Sequence, residues 1–228
     1  MNSQNSDKLP SIQEIRTFRD KIMQWFDRSG RDYPWRRTGD PFRVLIAEMM
    51  LRRTKADQVK EVYTNLFTQY PDIQSMAEAG EEELERILYP LGLRWRNPAF
   101  GLVARELRTK YECKVPETRE KLLSLPGVGE YVAGAVLSIG YGKAEWIVDS
   151  NIVRLFKRYF GVRTSREGRR DRHVVDIARR YTSEGDSRKA NLAILDFAAI
   201  VCTPRNPNCE YCPLAKDCKS IDQGLNQS

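Results

Sequence analysis

The chain has 228 residues, of which 41% are hydrophobic and 30% are charged, a composition that excludes fibrous and wholly disordered proteins. Lysine and arginine outnumber aspartate and glutamate by 38 to 31, and the net charge of +7 favours an anionic partner. No apolar run approaches the roughly 18 residues that a membrane span needs, and residues 1–6 lack a signal-peptide pattern. We therefore expect a cytoplasmic protein with no membrane partner.

Apolar residues recur at helical spacing along most of the chain, and alternating β-branched patterns are scarce. The first predicted helix begins near Ile12 and ends at Gly30, and the sequence RDYPWR follows it as a loop. One long helix is predicted from Phe42 to about Phe67, with a break near Thr54 as the alternative. Further helices are predicted over residues 75–88, 98–110, 118–123, 131–141, 151–159, 173–182 and 189–201. The sequence therefore predicts an all-α fold of about eight to ten helices.

A turn with the sequence LPGVG, residues 125–129, separates two of these predicted helices. Pro126 cannot continue the first helix, and Gly127 and Gly129 permit positive φ angles and a close approach of the backbone. The second helix starts directly after the turn, so its unpaired amides would point outward, where they suit a DNA phosphate. Such a turn also joins many helix pairs that bind nothing. The small residues after it and Asp149 make the combination more specific.

Four of the five cysteines lie within 17 residues near the C-terminus, with the spacing C-x6-C-x2-C-x5-C: Cys202, Cys209, Cys212 and Cys218. Clustered thiols in a reducing compartment indicate a metal site rather than disulfides. Four thiolates satisfy either one zinc ion or one iron–sulfur cluster, and the spacing alone leaves both open. The remaining cysteine, Cys113, is expected to be an ordinary thiol.

Together these motifs resemble those of a known family. The run Leu125–Gly129, followed by the sequence VDSN at residues 148–151, resembles the helix-hairpin-helix and catalytic aspartate of the endonuclease III and MutY (HhH-GPD) superfamily of DNA glycosylases. The cysteine spacing matches that of the superfamily's [4Fe–4S] ligands. The resemblance extends from about Ile12 to Cys218, which is nearly the whole chain.

The resemblance implies a two-domain, all-α helix-hairpin-helix glycosylase fold. A six-helix barrel is expected over residues 38–149, with its helix-hairpin-helix at about 118–141. An iron–sulfur cluster domain is expected from residues 1–37 and 150–228, with the cluster loop at 202–218. DNA would lie in the cleft between these domains, with the target nucleotide extruded. The implied cofactors are the [4Fe–4S] cluster and a monovalent cation at the hairpin.

Three residues are the candidates for the chemistry of base removal. Asp149 is expected to stabilise the positive charge that develops on the sugar as the N-glycosidic bond breaks; its place before Ile152 is also that of a helix N-cap. Tyr131 stands where strand-cleaving members carry a lysine, so we expect little or no lyase activity and an abasic product. Glu48, inside an apolar helical run, is expected to contact or protonate the target base; the alternative is that it faces solvent.

Other residues are expected to bind DNA. The segment at 31–36 resembles the base-pocket segment of the MutY branch; the alternative is a capped loop that packs Trp35 into the core. Residues 93–94 resemble the wedge loop. The arginines at 52 and 53 would fill the gap left by the flipped base, read the orphan base, or bind phosphate alone. The candidate DNA-binding residues are Arg31, Arg36, Arg52, Arg53, Leu93, Arg94, Gly127, Val128, Gly129 and Asn151.

The segment 154–180 is strongly basic. It contains ten lysines and arginines and three acidic residues, a local balance of 10 − 3 = +7. A solvated helix face is the usual explanation of such a run. A surface that follows DNA phosphates is the functional explanation, and the sequence does not choose between them.

Two departures from the MutY pattern bear on the target base. MutY adenine glycosylases carry paired glutamines where this chain has Arg52 and Arg53. They usually also have a C-terminal domain that reads 8-oxoguanine, whereas this chain stops ten residues after Cys218. The arginine pair, the short chain and Tyr131 are similar to the thymine–guanine mismatch glycosylases of the same superfamily.

The resemblance therefore implies excision of thymine, and of uracil, opposite guanine in double-stranded DNA. We expect the protein to act as a monomer associated with the nucleoid. One alternative is an adenine glycosylase acting opposite guanine or 8-oxoguanine. Another is a DNA-binding protein without activity, which the retained Asp149 argues against.

Overall fold

The structure is a computed structural model that describes residues 9–222. Within these residues it has twelve α-helices, several short 3₁₀ turns and no β-strand, so the predicted all-α fold is confirmed. The chain forms two compact units. The cluster unit contains the described residues up to Arg31 and from Ala144 onward, and the hairpin unit spans Asp32–Lys143. The domain boundaries expected from the resemblance stay a prediction.

Seven helices belong to the hairpin unit: α2 Pro41–Met50, α3 Ala56–Gln69, α4 Ile73–Glu78, α5 Glu81–Leu88, α6 Pro98–Tyr111, α7 Arg119–Leu123 and α8 Glu130–Ala135. Five belong to the cluster unit: α1 Ile12–Ser29, α9 Ser150–Phe160, α10 Arg172–Thr182, α11 Ser187–Ile200 and α12 Lys219–Asp222. No helix in the described part of the chain has the length and apolar character needed to cross a bilayer.

The helix predictions need two corrections. The helix predicted over residues 75–88 is in fact α4 and α5, because Ala79 and Gly80 have extended conformations. Three glutamates in the first turn of α5 favour a helix N-terminus at that point. The four residues of α12 were too few for the pattern to predict. The break near Thr54 is present, since residues 51–55 separate α2 from α3 and Arg53 has a φ of 61°.

The helix α2 lies in the core of the hairpin unit. Every residue from Val44 to Met50 is buried. The helix begins at Asp40, whose carboxylate accepts a hydrogen bond from the Phe42 amide at 2.8 Å, and Pro41 occupies its first turn. α2 packs against α8 and against the π-helical turn Val136–Gly140 that continues it. The packing places a polar residue of the buried run, Glu48, inside an apolar core.

In the cluster unit, aromatic side chains pack α1 against α9 and α10. The fully buried ring of Phe18 lies 4.8–5.9 Å, between centroids, from four other rings: Phe156, Tyr159, Phe160 and Tyr181. Aromatic side chains of this size dominate core energetics because each buries a large apolar area. α11 also packs against α1 and α9. The aromatic contacts hold the C-terminal half of α9, the helix whose N-cap is the candidate aspartate.

Candidate active site and metal centre

The four C-terminal cysteines of the cluster unit line one cavity. Its other walls are mainly apolar and include Leu155, Phe197 and Leu214. Among the described residues, no three His, Cys, Asp or Glu side chains meet at a point that would suit a single metal ion. Four thiols that line one cavity suit a group of several atoms such as an iron–sulfur cluster.

Burial opposes the ionisation of three of these thiols. Burial raises the pKa of Cys212 to about 11 and also raises the pKa of Cys209 and of Cys218. A buried thiolate in these surroundings needs a nearby positive charge, which cluster iron supplies to its ligands. The donor set therefore fits a [4Fe–4S] cluster.

Arg158 of α9 holds the start of the cluster loop. Its guanidinium donates to the carbonyl of Thr203 at 2.6 Å and to that of Pro204 at 3.1 Å. It also lies 3.5 Å from the sulfur of Cys202. Donors beside a ligand sulfur stabilise its negative charge, so Arg158 supports both the loop and its first thiolate.

Asp149 caps α9. One carboxylate oxygen, Oδ1, accepts a hydrogen bond from the amide of Ile152 at 2.7 Å. The other, Oδ2, accepts from the side-chain amide of Asn151 at 2.8 Å. The capping geometry expected from the sequence is therefore present. Two hydrogen bonds fix the carboxylate and leave it lone pairs for another group.

A polar chain connects this aspartate to the cluster loop. The oxygen of the Asn151 side chain accepts a hydrogen bond from Arg154 Nη1 at 2.8 Å. The other nitrogens of that guanidinium donate to the carbonyl of Cys202, at 3.0 and 2.8 Å, and to that of Ala198, at 2.7 Å. No sequence pattern around Arg154 predicted this role. The orientation of Asp149 thus depends, through two side chains, on the backbone of the first cysteine.

The helix-hairpin-helix consists of α7, the turn 125–129 and α8. Leu125 and Val128 are buried and attach the turn to the core of the hairpin unit. Arg119 of α7 donates to both the carbonyl and the carboxylate of Glu130, at 3.1 and 2.9 Å, and so ties the two helices together. The turn is therefore held between two helices that are tied to each other and to the core.

The two glycines of the turn differ in backbone conformation and in the space that a side chain would have. Gly127 has a φ of +74°, and an added Cβ would lie 3.1 Å from the Cβ of Ala99. Gly129 has a φ of −114°, and an added Cβ would meet nothing within 4 Å. The fold itself therefore requires Gly127, whereas the bare backbone at Gly129 leaves room for a ligand.

Glu48 and Tyr131 lie on neighbouring helices of the hairpin unit. Glu48 of α2 is 3% exposed, so the solvent-facing alternative is wrong. Tyr131 is half-buried at the start of α8, where it packs beside the core. Because α2 packs against α8, both side chains belong to the same region of this unit.

A buried arginine that the sequence analysis missed joins two loops of the hairpin unit. Arg96 is 5% exposed, and it donates to the carbonyl of Arg52, to the hydroxyl of Thr54 at 2.7 Å and to the carbonyl of Leu91 at 3.4 Å. Burial and the nearby Arg52 lower the pKa of Arg96. This contact fixes the segment 51–55 against the segment 89–97.

Arg52 and Arg53, the arginine pair of segment 51–55, are both exposed. Arg52 also donates to the carbonyl of Gly127 at 3.0 Å, which places it on the hairpin turn. The strained backbone of Arg53, with its positive φ, directs the chain out of α2.

The wedge-loop candidates occupy an exposed, partly aromatic loop. Leu93 is 36% exposed with a φ of 48°, and Arg94 donates to Glu85 at 2.9 Å and lies over the ring of Tyr89. Trp95, which was not among the predicted DNA-binding residues, is 70% exposed. An aromatic residue among arginines outside a helix was the signal available for it.

The structure shows what two other candidate arginines contact. Arg31, in the cluster unit, donates from its backbone amide and its guanidinium to the fully buried carboxylate of Asp196, at 2.7 and 2.8 Å. Arg36, in the hairpin unit, lies over the ring of Tyr33. Trp35 is buried and stacks on the same ring at 4.8 Å, as the core explanation expected. DNA contacts by both arginines stay predictions.

Residues 46–180 match the HhH-GPD superfamily of base excision DNA repair proteins. The chain belongs to the HhH-GPD superfamily. The cluster loop of this HhH-GPD protein, residues 202–218, matches the iron-sulfur binding domain of endonuclease III.

Individual relatives cover almost the whole chain. A thymine/uracil-DNA glycosylase from Pyrobaculum aerophilum is 36% identical over 217 residues, which cover 93% of this chain and 94% of that protein. An adenine DNA glycosylase from Homo sapiens is 30% identical over 219 residues, which cover 92% of this chain but 40% of that protein. The solved structure of a thermostable thymine-DNA glycosylase aligns with a TM-score of 0.85 at 33% identity, covering 92% of this chain and 98% of its own.

These matches confirm the predicted superfamily, its glycosylase class and the [4Fe–4S] cofactor. DNA is the partner of this base-excision repair protein. The roles expected of individual side chains, and the cation expected at the hairpin, stay predictions.

Proposed function

We propose that this HhH-GPD protein is a monofunctional glycosylase that hydrolyses the N-glycosidic bond of thymine, or of uracil, opposite guanine and leaves an abasic site. The similarity to a thymine/uracil-DNA glycosylase, which extends over more than nine-tenths of both chains, supports the choice of target base. The observation that carries the reaction type is the fixed carboxylate of Asp149 at the start of α9.

Asp149 is proposed to stabilise the transition state. As the bond to the base breaks, positive charge develops on the sugar, and a carboxylate held beside C1′ lowers the energy of that cation. Its position also suits the orientation of a water molecule. Water then adds its oxygen to C1′, and the departing base takes the electron pair of the broken bond and a proton.

Tyr131 and Glu48 are proposed to form the pocket for the base. A phenol at the position of Tyr131 does not form the Schiff base through which an amine would cleave the strand, so we propose little or no lyase activity. The buried carboxyl of Glu48 is proposed to hold or polarise the base by hydrogen bonding. Neither role requires a metal ion.

The remaining candidates are proposed to hold the DNA. The exposed amides near Gly129 would bind phosphate, with a monovalent cation at the hairpin. The exposed Arg52 and Arg53 would face the orphan base or its phosphates, and Leu93 and Arg94 would wedge the duplex. Arg31, Arg36, Gly127, Val128 and Asn151 complete the proposed set.

The four cysteines that line the cavity are the proposed cluster ligands. The cluster would fix the loop 202–218 and, through the carbonyl of Cys202, the side chain of Arg154. The proposed role of the cluster is structural, and the proposed hydrolysis uses no proton or bond of the cluster. We also propose that the protein acts as a monomer in the cytoplasm, associated with the nucleoid.

One set of labelled duplexes tests the target base. The set contains G·T, G·U, A·8-oxoguanine, A·G and a thymine-glycol pair, each incubated with the purified holoprotein and then split into samples with and without alkali. We expect base release from G·T and G·U, with strand cleavage that depends on alkali. Release from the adenine pairs alone would establish the adenine glycosylase instead, and cleavage without alkali would contradict the monofunctional assignment.

A further inference from the structure

Only half of the lysines and arginines in the basic segment 154–180 have structural contacts. Arg154 and Arg158 bind carbonyls of the cluster loop. Arg170 and Arg180 form ion pairs with Glu167 and Asp176, and Arg179 lies over the ring of Trp146. Within the described residues, no hydrogen bond or ion pair engages the side chains of the five that remain, all of them exposed: Lys157, Arg163, Arg166, Arg169 and Arg172.

Three of these five cations line one open cavity of about 500 Å³ beside α9: Lys157, Arg166 and Arg169. The hydroxyl-bearing residues Ser150, Thr164 and Ser165 line the same cavity. Cationic and hydroxyl donors that converge in this way match the oxygens of a phosphate group. The acidic residue of the lining, Glu167, is already paired with Arg170 at 3.4 Å.

The loop that carries these cations is built rather than loosely extended. The carboxylate of Asp171 accepts hydrogen bonds from the amide of Ser165 at 2.8 Å and from the amide of His173 at 3.0 Å, which closes the loop onto α10. Gly168 packs on α9 so closely that an added Cβ would lie 2.7 Å from Val153 Cγ1. Arginines on such a loop lose less conformational freedom when they bind.

The cavity also begins one residue away from the proposed catalytic carboxylate, because Ser150 in its lining directly follows Asp149 in the chain. We propose that Lys157, Arg166 and Arg169, here called the phosphate surface, bind the DNA backbone next to the sugar that Asp149 faces. The proposal rests on the proposed function, and it adds a sequence-independent contact supplied by the cluster unit. Its partner is the phosphodiester backbone of duplex DNA.

Two triple variants of the holoprotein test the surface. One is Lys157→Gln/Arg166→Gln/Arg169→Gln. The matched control is Arg86→Gln/Lys110→Gln/Lys114→Gln, which removes the same charge from exposed positions of the hairpin unit. Each lowers the net charge from +7 to 7 − 3 = +4. Thermal melting and cluster absorbance first show that both variants are folded. Binding to an undamaged duplex is then measured by fluorescence anisotropy between about 50 and 300 mM KCl, a range over which counterion release changes the affinity.

The phosphate-surface variant is expected to bind about tenfold more weakly, and the slope of log Kd against log salt should fall by about 2 to 3. The control variant should keep the slope of the wild type. Excision from G·T by the control variant should change less than about twofold, because its three positions lie outside the proposed DNA contacts. Equal slopes in the two triple variants would overturn the proposal. If the wild type excises no base, the proposed function fails, but the slopes on undamaged DNA still decide the phosphate surface.

Discussion

The hairpin unit fixes its turn with apolar side chains, whereas the cluster unit fixes Asp149 with polar ones. In the hairpin unit, Leu125 and Val128 are buried, and Gly127 permits close packing against Ala99. In the cluster unit, hydrogen bonds run from Asp149 through neighbouring side chains to the cluster loop. A turn held by apolar packing tolerates the loss of one polar contact, whereas a chain of hydrogen bonds is interrupted when any one of its side chains is removed.

The difference has a consequence for the cofactor. Loss of the cluster would release the backbone of Cys202, and with it the support of Arg154 and Asn151. The hairpin turn depends on the core of its own unit. Catalysis by Asp149 and phosphate binding at the hairpin turn should therefore respond differently to changes around the cluster.

Substitution of Asp149 should have the largest effect. Asp149→Asn keeps the size and the capping ability of the side chain but removes its charge, so the single-turnover rate on G·T should fall by about 10³-fold or more. DNA affinity should change little, since the change leaves the hairpin turn intact. A gel-based excision assay and anisotropy measure the two quantities. An Asp149→Asn variant with the rate of the wild type would refute the role of this carboxylate.

Substitution of Arg154 should have the next largest effect. Arg154 donates four hydrogen bonds from three nitrogens, whereas a lysine ammonium has its donors on one nitrogen and does not reproduce this fork. Arg154→Lys keeps the charge, and the excision rate should fall by about 10- to 100-fold. The matched control is Arg179→Lys, because Arg179 lies on α10, contacts the ring of Trp146 and takes no part in the hydrogen bonds that lead to Asp149. Equal rates for both variants would show that the polar chain does not position Asp149.

The two glycines of the turn should separate stability from DNA binding. Gly127→Ala forces an alanine into a positive φ and against Ala99, and should lower the free energy of unfolding by about 1 to 2 kcal/mol or more. Gly129→Ala should leave the unfolding free energy nearly unchanged, since its Cβ meets nothing, but should weaken DNA binding. Urea denaturation and anisotropy distinguish these effects. Full DNA affinity in Gly129→Ala would exclude a close phosphate at that backbone.

The sequence predicted the parts of this protein that depend on contiguous residues. Three motifs are recognisable from residues that lie close together in the sequence: the turn at 125–129, the aspartate that precedes α9, and the four cysteines. The helices were predicted for the same reason, because amphipathic periodicity is local. The split between α4 and α5 was missed because Gly80 inside an otherwise helical pattern is ambiguous.

Long-range contacts explain what the sequence could not predict. Arg31 and Asp196 are 165 residues apart in the chain, and nothing near either residue indicates the other. Nothing in the sequence distinguishes Arg96 from the arginines near it. Its burial depends on the carbonyls of Arg52 and Leu91, which two separate loops bring together. Arg154 likewise gains its role from the carbonyls of Ala198 and Cys202. Charge counts along the chain cannot sort such arginines from exposed ones.

The smallest expected effect concerns two capping aspartates, one in each unit. In Asp171, burial opposes the charge, but hydrogen bonds from the amides of Ser165 and His173 lower the pKa below its usual value. In Asp72, hydrogen bonds from Ser75 lower the pKa. A depressed carboxyl pKa stabilises the fold above the unfolded value of about 3.9, and this contribution is lost as the pH falls through the folded pKa.

Asp171→Ala and Asp72→Ala should therefore each lower the unfolding free energy by about 1 kcal/mol at pH 7. The difference from the wild type should shrink as the pH falls below about 4, as urea denaturation at several pH values would show. Only Asp171 closes the loop of the phosphate surface, so only Asp171→Ala should also reduce the salt slope of DNA binding. The same slope in both variants would mean that the closure of this loop does not organise the phosphate surface.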